Sequence, residues 1–194
     1  MRSMHSFRSA LFLGALLLAL TAAFSAAQIK PIGTQGAYPD IQLDKAGNLH
    51  LVYGRLGKTY YRKLAKSAGV FTAEESTGCS ASNDHQKQPD VAIDSKGVVH
   101  VLGGSIYNTR TASGWGKPII PGVNRDHHMT VDGSDNVWVV YRGLQLTARM
   151  KAANATAFGA ATNIFSGGGT DHVYPDITAG SDGSVHVVFR MRNP

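Results

Sequence analysis

Four stretches of this chain share one pattern of apolar and polar positions. Each begins with a short alternation of apolar and polar residues, continues through a polar turn and ends in an almost continuously apolar run. The alternation is typical of a half-buried strand, and the continuous run is typical of a strand buried on both faces. Each stretch therefore predicts a β-hairpin. The four stretches begin at Pro39, Pro89, His127 and Pro175.

The four copies recur at a spacing that is typical of propeller blades. Their turns align at Asp44, Asp94, Asp132 and Gly180, which lie 50, 38 and 48 residues apart. A period of about 40–50 residues with several strands per unit is a signature of β-propellers. Strands do not alternate with helical patterns, so an α/β fold is not expected. The sequence predicts an all-β chain that forms a β-propeller of about four repeats.

Further alternating segments follow three of the hairpins and extend them to four strands. In the first copy we predict strands at 39–44, 49–53 and 59–64, with Val70 beginning a more exposed fourth strand. The second copy predicts strands at 89–94, 98–103, 105–111 and 115–120, and the third at 128–132, 137–141, 144–150 and about 157–165. The fourth copy supplies only two strands, so the last blade is incomplete.

An incomplete last blade leaves an open sheet edge, which proteins generally close. Residues 28–32 could supply a missing outer strand of that blade. Alternatively, partial rings from several chains could complete one larger ring. The third alternative is that the chain is a fragment of a longer propeller. The sequence pattern leaves these three alternatives open.

The first 27 residues have the composition of a secretory signal peptide. Arg2 and Arg8 precede the apolar stretch 10–24, and small residues follow at 25–27. The predicted organisation is therefore a signal peptide at 1–27 and one propeller domain at 28–194, in a secreted or periplasmic protein. No stable membrane span is expected, because the apolar stretch is shorter than the roughly 20 residues of a spanning helix.

Charge and cysteine content limit the partners and the stabilising devices. Without residues 1–27, which carry two arginines and no acid, the formal net charge falls from +6 to +4. The basic residues form no clustered face, so a nucleic-acid partner is not predicted. Cys79 is the single cysteine, which excludes an internal disulfide, and the surrounding segment 76–83 reads as a loop.

Three phrases carry a family resemblance. They are Pro-Asp-Ile-Gln-Leu-Asp-Lys-Ala-Gly-Asn-Leu-His-Leu-Val-Tyr at 39–53, Thr-Tyr-Tyr-Arg-Lys-Leu-Ala-Lys-Ser at 59–67 and Gly-Trp-Gly-Lys-Pro at 114–118. Over 28–194 the chain resembles the sialidase-like (Asp-box, BNR-repeat) propeller superfamily. The defining Asp-box is degraded here, because 113–118 keep a Gly and the Trp but lack the Asp and the Thr. The resemblance implies the fold, whereas members of that superfamily include glycosidases, lectins and proteins without known activity.

Acidic residues argue against catalysis. Glycoside hydrolysis uses two carboxylates or, in sialidases, a tyrosine activated by a glutamate. The only glutamates, Glu74 and Glu75, are adjacent, so on a strand they cannot flank one bond. Repeated aspartates predict a structural role in the repeat: Asp40, Asp90 and Asp176 at the start of the first strand of a copy, and Asp44, Asp94 and Asp132 at its end. The sequence therefore favours a non-enzymatic function.

Histidines occupy two kinds of position. One set lies in the second strand of each copy, where the third copy has Trp138, so this position is predicted to pack and to make an optional hydrogen bond; the histidines are His50, His100 and His186. The other set lies at the junctions between copies, next to aspartates. These junction residues are Asp84, His85, Asp126, His127, His128, Asp171 and His172.

The junctions between blades ring the central channel of a propeller. The second strand of each hairpin returns to the same side, where three copies place an arginine after an aromatic residue: Arg55, Arg142 and Arg190. Arginine binds carboxylates in a planar fork, and histidine or aspartate can bind hydroxyl groups or hold a cation. We predict that these arginines and the junction residues form a ligand-binding face. No cofactor is predicted, although the carboxylates are of a type that binds calcium.

The leading functional prediction is a secreted, non-catalytic propeller that binds carbohydrate or another small acidic or polar ligand. The first alternative is a sialidase-like glycoside hydrolase that uses Asp84, Asp126 or Asp171 with the arginines. The second alternative is a structural or assembly module, or a fragment of a longer propeller. A homo-oligomer is a further candidate partner.

Overall fold

The computed structural model describes residues 36–81, 88–123, 125–143, 145–165 and 172–191. The predicted signal peptide at 1–27 and the predicted closing strand at 28–32 lie outside these residues. In the described part of the chain, every regular element is a β-strand.

The strands form four antiparallel sheets that follow one another along the chain. The first sheet contains β1 (Ala37–Leu43), β2 (Leu49–Arg55), β3 (Lys58–Leu64) and β4 (Glu75–Ser80). The second contains β5 (Asp90–Ile93), β6 (Val99–Gly103), β7 (Ile106–Thr111) and β8 (Gly114–Trp115). The third contains β9 (Arg125–Val131), β10 (Val137–Arg142), β11 (Leu146–Lys151) and β12 (Thr162–Phe165). The fourth contains β13 (His172–Ala179) and β14 (Val185–Met191).

This architecture confirms the prediction of an all-β, propeller-like chain with an incomplete last blade. In the three larger sheets the spatial order of the strands is their order in the chain, as in a blade. The inner strands of successive sheets, β1, β5, β9 and β13, lie next to one another. Among the strands that the structure describes, none of the fourth sheet packs extensively against the first sheet.

The fourth strand of the first sheet was predicted at the wrong place. It is β4, and it begins at Glu75 rather than at Val70, which is exposed outside any strand. The prediction that Cys79 lies in a loop is also wrong, because Cys79 is buried in β4. The sequence of β4 has little apolar alternation, and Gly78 interrupts it with a φ of 75°. Its position is fixed instead by hydrogen bonds, including one of 3.0 Å from the Thr77 hydroxyl to the Thr59 carbonyl.

Each sheet packs one face against the next sheet. We call the face toward the following sheet the forward face and the opposite face the rear face. In the first sheet the register places Asp40, Val52 and Tyr61 on the forward face and Ile41 and Leu51 on the rear face.

The three junctions between sheets are apolar clusters of the same design. Forward-face residues of one sheet meet rear-face residues of the next in each of them. The first junction joins Val52, Tyr61 and Cys79 to Val91, Val99 and Val101. The second joins Ala92, Leu102 and Tyr107 to Met129, Val137, Val139 and Tyr141. The third joins Val140 and Leu146 to Ile177, Val185, Val187 and Phe189.

The aspartate of each hairpin turn holds the turn together. Asp44 accepts a 2.8 Å hydrogen bond from the Asn48 amide, and Asp132 accepts a 2.9 Å bond from the Asn136 amide. Burial raises the pKa of Asp44, but hydrogen bonds from Asn48 and His50 outweigh it and leave that pKa well below its usual range. The predicted structural role of the turn aspartates is confirmed.

In the first two sheets the histidine of the second strand is structural, as predicted, whereas His186 of the fourth sheet is exposed. His50 Nε2 lies 3.1 Å from an Asp44 carboxylate oxygen, and its Nδ1 lies 2.8 Å from the Tyr61 hydroxyl. Trp138 replaces histidine in the third sheet and donates a 2.8 Å bond from Nε1 to Asp132. This position therefore needs a ring that fills space and reaches the turn carboxylate.

We expect a pH dependence of stability from the same position. His100 Nδ1 lies 2.6 Å from the Tyr107 hydroxyl, and burial lowers the pKa of this imidazole below 6.5. Below about pH 6.5 the unfolded chain then binds more protons than the folded chain, so stability falls as the pH drops. The free-energy advantage of the wild type over His100→Gln should shrink by about 1 kcal/mol between about pH 7.5 and 5.5. Urea unfolding of both proteins at both pH values measures this difference in the free energy of unfolding. A difference that does not change with pH would contradict the expected effect of His100.

Candidate functional site

The starts of the inner strands and the ends of the second strands lie on one side of the described sheets. The antiparallel register brings Ala37 opposite Gly54, Arg125 opposite Arg142 and Val173 opposite Arg190. We call this side the junction face. It carries the predicted arginines and the described members of the predicted Asp-His set.

A repeated backbone irregularity shapes the junction face. The inner strand has a register shift near its start in the first, third and fourth sheets. At each of these shifts a residue other than glycine has a positive φ: 53° at Tyr38, 46° at Asp126 and 55° at Tyr174. Such conformations are uncommon outside glycine and concentrate at functional sites, and a bulge redirects side chains. The junction face is therefore a strained, repeated feature.

In the third sheet, the predicted junction residues fall into two groups. Asp126 is buried, and its carboxylate lies 3.1 Å from Arg142 Nε. His127 is also buried, and its Nε2 lies 2.8 Å from the Gly104 carbonyl of the second sheet. These two side chains join parts of the fold, whereas His128 is half-exposed and available to a ligand.

His128 lies between two carboxylates of the inner strands. Its Nδ1 is 3.7 Å from Asp90 and 3.9 Å from Asp176. Burial, together with the negative charge of Asp40, raises the pKa of the Asp90 carboxyl well above its usual value. The imidazole and the exposed Asp176 carboxylate could both bind hydroxyl groups.

Two of the three recurring inner-strand aspartates, Asp40 and Asp90, join neighbouring sheets, which confirms their predicted structural role. Asp40 accepts a 2.8 Å hydrogen bond from the Val91 amide of the second sheet. Asp90 accepts the equivalent 2.5 Å bond from the Met129 amide of the third sheet. Each carboxylate thus binds the backbone of the next inner strand.

In the first sheet, Arg55 lies in a cluster that was not predicted from the sequence. Both the Tyr53 hydroxyl and the Arg55 guanidinium donate hydrogen bonds to Glu74. Burial, followed by the hydrogen bond to Glu74 and its charge, raises the pKa of Tyr53 to about 12. Tyr60 stacks on Tyr53 with ring centroids 6.1 Å apart, and the Arg55 guanidinium lies 4.7 Å from the Tyr60 centroid.

Glu75 has a different role from its neighbour. Its carboxylate accepts bonds of 2.7 and 3.0 Å from Arg110 and one of 3.0 Å from Trp115 Nε1. Both partners belong to the second sheet, so Glu75 joins two sheets at their outer strands.

The structure describes the remaining predicted site residues only in part. Asp84, His85 and Asp171 lie outside the described residues. His172 begins β13, and Arg190 is an exposed residue of β14. The ligand-binding role of the whole set stays a prediction.

Sequence reasoning missed Tyr38, Tyr174 and the pairing of Tyr53 with Glu74. The phrase Tyr-Pro-Asp-Ile, present at 38–41 and again at 174–177, could have indicated the first two. Tyr174 is 47% exposed on the junction face. No sequence pattern indicates the pairing of Tyr53 with Glu74, because the two residues are 21 positions apart and meet only through the sheet.

Neither a metal-ion cluster nor a membrane-spanning helix occurs among the described residues. No three histidine, cysteine, aspartate or glutamate side chains among them lie close enough to hold a metal ion. No helix in the same part of the chain is long and apolar enough to cross a membrane.

Comparison with known proteins supports a sialidase-like fold. No protein-family model matches the chain, and no curated protein matches it. Among solved structures, it is similar to a point mutant of NanB sialidase from Streptococcus pneumoniae, with a TM-score of 0.52 and 16% sequence identity. The match covers 79% of this chain and 26% of the sialidase, so the chain spans about a quarter of that protein. At this identity the likeness concerns the fold alone.

We expect Glu75 and Arg110 to be energetically coupled. Both side chains are only about 30% exposed, and paired charge-assisted bonds are strong. A double-mutant cycle with Glu75→Gln and Arg110→Gln should give a coupling free energy of about 1–2 kcal/mol in urea unfolding. A coupling near zero would show that the pair does not join the sheets.

Proposed function

We propose that this chain is an exported, non-catalytic propeller that binds carbohydrate through its junction face. The observation that carries the proposal is the repeated bulge, which places a tyrosine at the same strained position in the first and fourth sheets, at Tyr38 and Tyr174. Aromatic rings stack on the apolar faces of sugars, and strained backbone is retained mainly where function requires it. The half-exposed His128 adds a hydrogen-bonding group to the same face.

Charge supports an acidic or polar sugar as the ligand class. The formal net charge without the predicted signal peptide is +4, and Arg190 is exposed on the junction face. A guanidinium can bind a sugar carboxylate through two parallel hydrogen bonds. Calcium remains a candidate ion for this face, because carboxylates and sugar hydroxyls together are typical calcium ligands.

A glycan array tests the proposal, and Tyr174 provides the sharpest variant. Tyr174→Ala should lower the affinity for the selected glycan about tenfold, equivalent to about 1.4 kcal/mol, because it removes the stacking surface. Tyr174→Phe keeps the ring and should retain most of the affinity. The array is probed with calcium and again with a chelator, and a loss of binding in the chelator would assign calcium to the site.

A matched control separates this site from a general effect of surface substitution. Val70 is exposed in the segment after β3, whose end lies opposite the start of β2 and so on the side away from the junction face, and Val70→Ala should therefore bind like the wild type. Equal affinities for the wild type and Tyr174→Ala would place the sugar elsewhere. A folded protein that binds no glycan would remove the proposed function.

The second candidate function is hydrolysis of an acidic glycoside, and one observation favours it. The Tyr53 hydroxyl donates to the Glu74 carboxylate, with Arg55 on the same carboxylate. A tyrosine with a pKa of about 12 is protonated at neutral pH, so its proton must pass to a carboxylate as its oxygen attacks the anomeric carbon. The bond from that carbon to the aglycone breaks, the aglycone leaves, and water then releases the sugar from the tyrosine. Glu74 is in place to accept that proton, and Arg55 could bind an acidic substituent.

This candidate predicts turnover that depends on two named side chains. An aryl glycoside of an acidic sugar should release its fluorophore with the wild type, and release should be lost in Tyr53→Phe and in Glu74→Gln. Tyr60→Phe is the matched control, since it removes a hydroxyl from the neighbouring stacked ring and should leave release intact. Wild-type protein without turnover would leave sugar binding as the function.

A further inference from the structure

The described arc of four sheets ends in two faces that have no neighbouring sheet. One is the rear face of the first sheet, and the other is the forward face of the fourth sheet. Every junction inside the arc is made from one face of each of these two kinds. The two end faces are therefore of the same two kinds that pack together in all three described junctions.

The rear face of the first sheet exposes a position that is buried everywhere else. Ile41 is 55% exposed, whereas its equivalents in the other three sheets are buried in junctions: Val91, Met129 and Ile177. Leu43, two residues further along the same strand face, is 59% exposed, whereas Leu51 of β2 on the same face is buried, so the exposed part of this face is its inner strand β1. Apolar side chains of this size stabilise a fold mainly when they are removed from water.

The forward face of the fourth sheet shows the complementary exposure. Val188 is 68% exposed, whereas its equivalents in the first three sheets are fully buried: Val52, Leu102 and Val140. The register makes this equivalence plain, because Val188 lies opposite Asp176 as Val52 lies opposite Asp40.

The fourth sheet also carries the aspartate that joins neighbouring sheets in the interior junctions. The carboxylates of Asp40 and Asp90 each accept a hydrogen bond from the amide of the next inner strand. Asp176 occupies the same position in the fourth sheet, and its side chain is 72% exposed. It could accept the bond from an inner strand packed on this face.

We propose that a second copy of this chain docks head to tail, with the Ile41 face of one copy on the Val188 face of the other. A copy supplies the same apolar positions and the same inner-strand amide that the interior junctions use. Two copies would contribute eight sheets, which is the upper end of the usual range for a closed propeller. The two new junctions would be identical and heterologous, and they would close the ring as a dimer.

Mass measurement by light scattering on the full chain tests the assembly. The wild type should be a dimer at micromolar concentration. Ile41→Glu and Val188→Lys should each be monomeric, because each puts one charge against the apolar surface of the other copy in both junctions. Both substitutions are at exposed positions, and far-UV circular dichroism confirms that each variant is folded.

Mixing the two variants distinguishes this geometry from other dimers. In a head-to-tail pair of one Ile41→Glu and one Val188→Lys copy, one junction is wild type and the other pairs opposite charges. The mixture should therefore form a heterodimer, which native mass spectrometry identifies by its mass. A symmetric dimer in which Ile41 packs on Ile41 would persist in Val188→Lys. Mixing the two variants would not restore that contact for the Ile41→Glu copy.

Matched controls use exposed apolar residues away from the two end faces. Ile120→Glu, after the second sheet, and Ile164→Lys, in β12 of the third sheet, introduce the same charges and should leave the dimer unchanged. A monomeric wild type would overturn the proposal, as expected if residues 28–32 close the ring within one chain. A dimer that survives either end-face substitution, or a mixture that stays monomeric, would overturn it too. The outcome is independent of which sugar the junction face binds.

Discussion

The packing of one sheet's forward face on the next sheet's rear face is the interaction on which this structure depends. The chain has a single cysteine and so no internal disulfide, and its described sheets are held by three apolar junctions. Polar contacts also fix how neighbouring sheets are positioned. Asp40 binds the next inner strand, and Glu75 binds the next sheet's outer strands. A face without a neighbour is therefore the energetically incomplete part of the molecule.

The candidate site lies at the starts of the inner strands. The packing between sheets positions these strands, and the bulges near their starts redirect the side chains there. Asp126 and His127 are buried and hold parts of the fold together, whereas His128, Tyr174 and Arg190 are at least partly exposed. Neighbouring positions of one repeated motif can therefore be buried and structural or exposed at the surface.

Glu74 and Glu75 show how far reasoning from residue types can go. Their adjacency predicts that they do not flank one bond, and the structure gives them different partners: Glu74 binds Tyr53 and Arg55, whereas Glu75 binds Arg110 and Trp115. Their partners could not be predicted, since Tyr53 is 21 residues from Glu74 and Arg110 is 35 residues from Glu75. Such contacts depend on the register of β4, which has little apolar pattern of its own.

The sequence by itself determined the repeat, the hairpins, the turn aspartates and the packing role of the second-strand histidine. These features follow from local alternation and from a spacing that recurs along the chain. Only the tertiary structure decided the place of β4 and Cys79, the strained tyrosines and the faces left open at the two ends of the arc. These features depend on which residues meet across sheets, and a periodic pattern specifies the strands without specifying their neighbours.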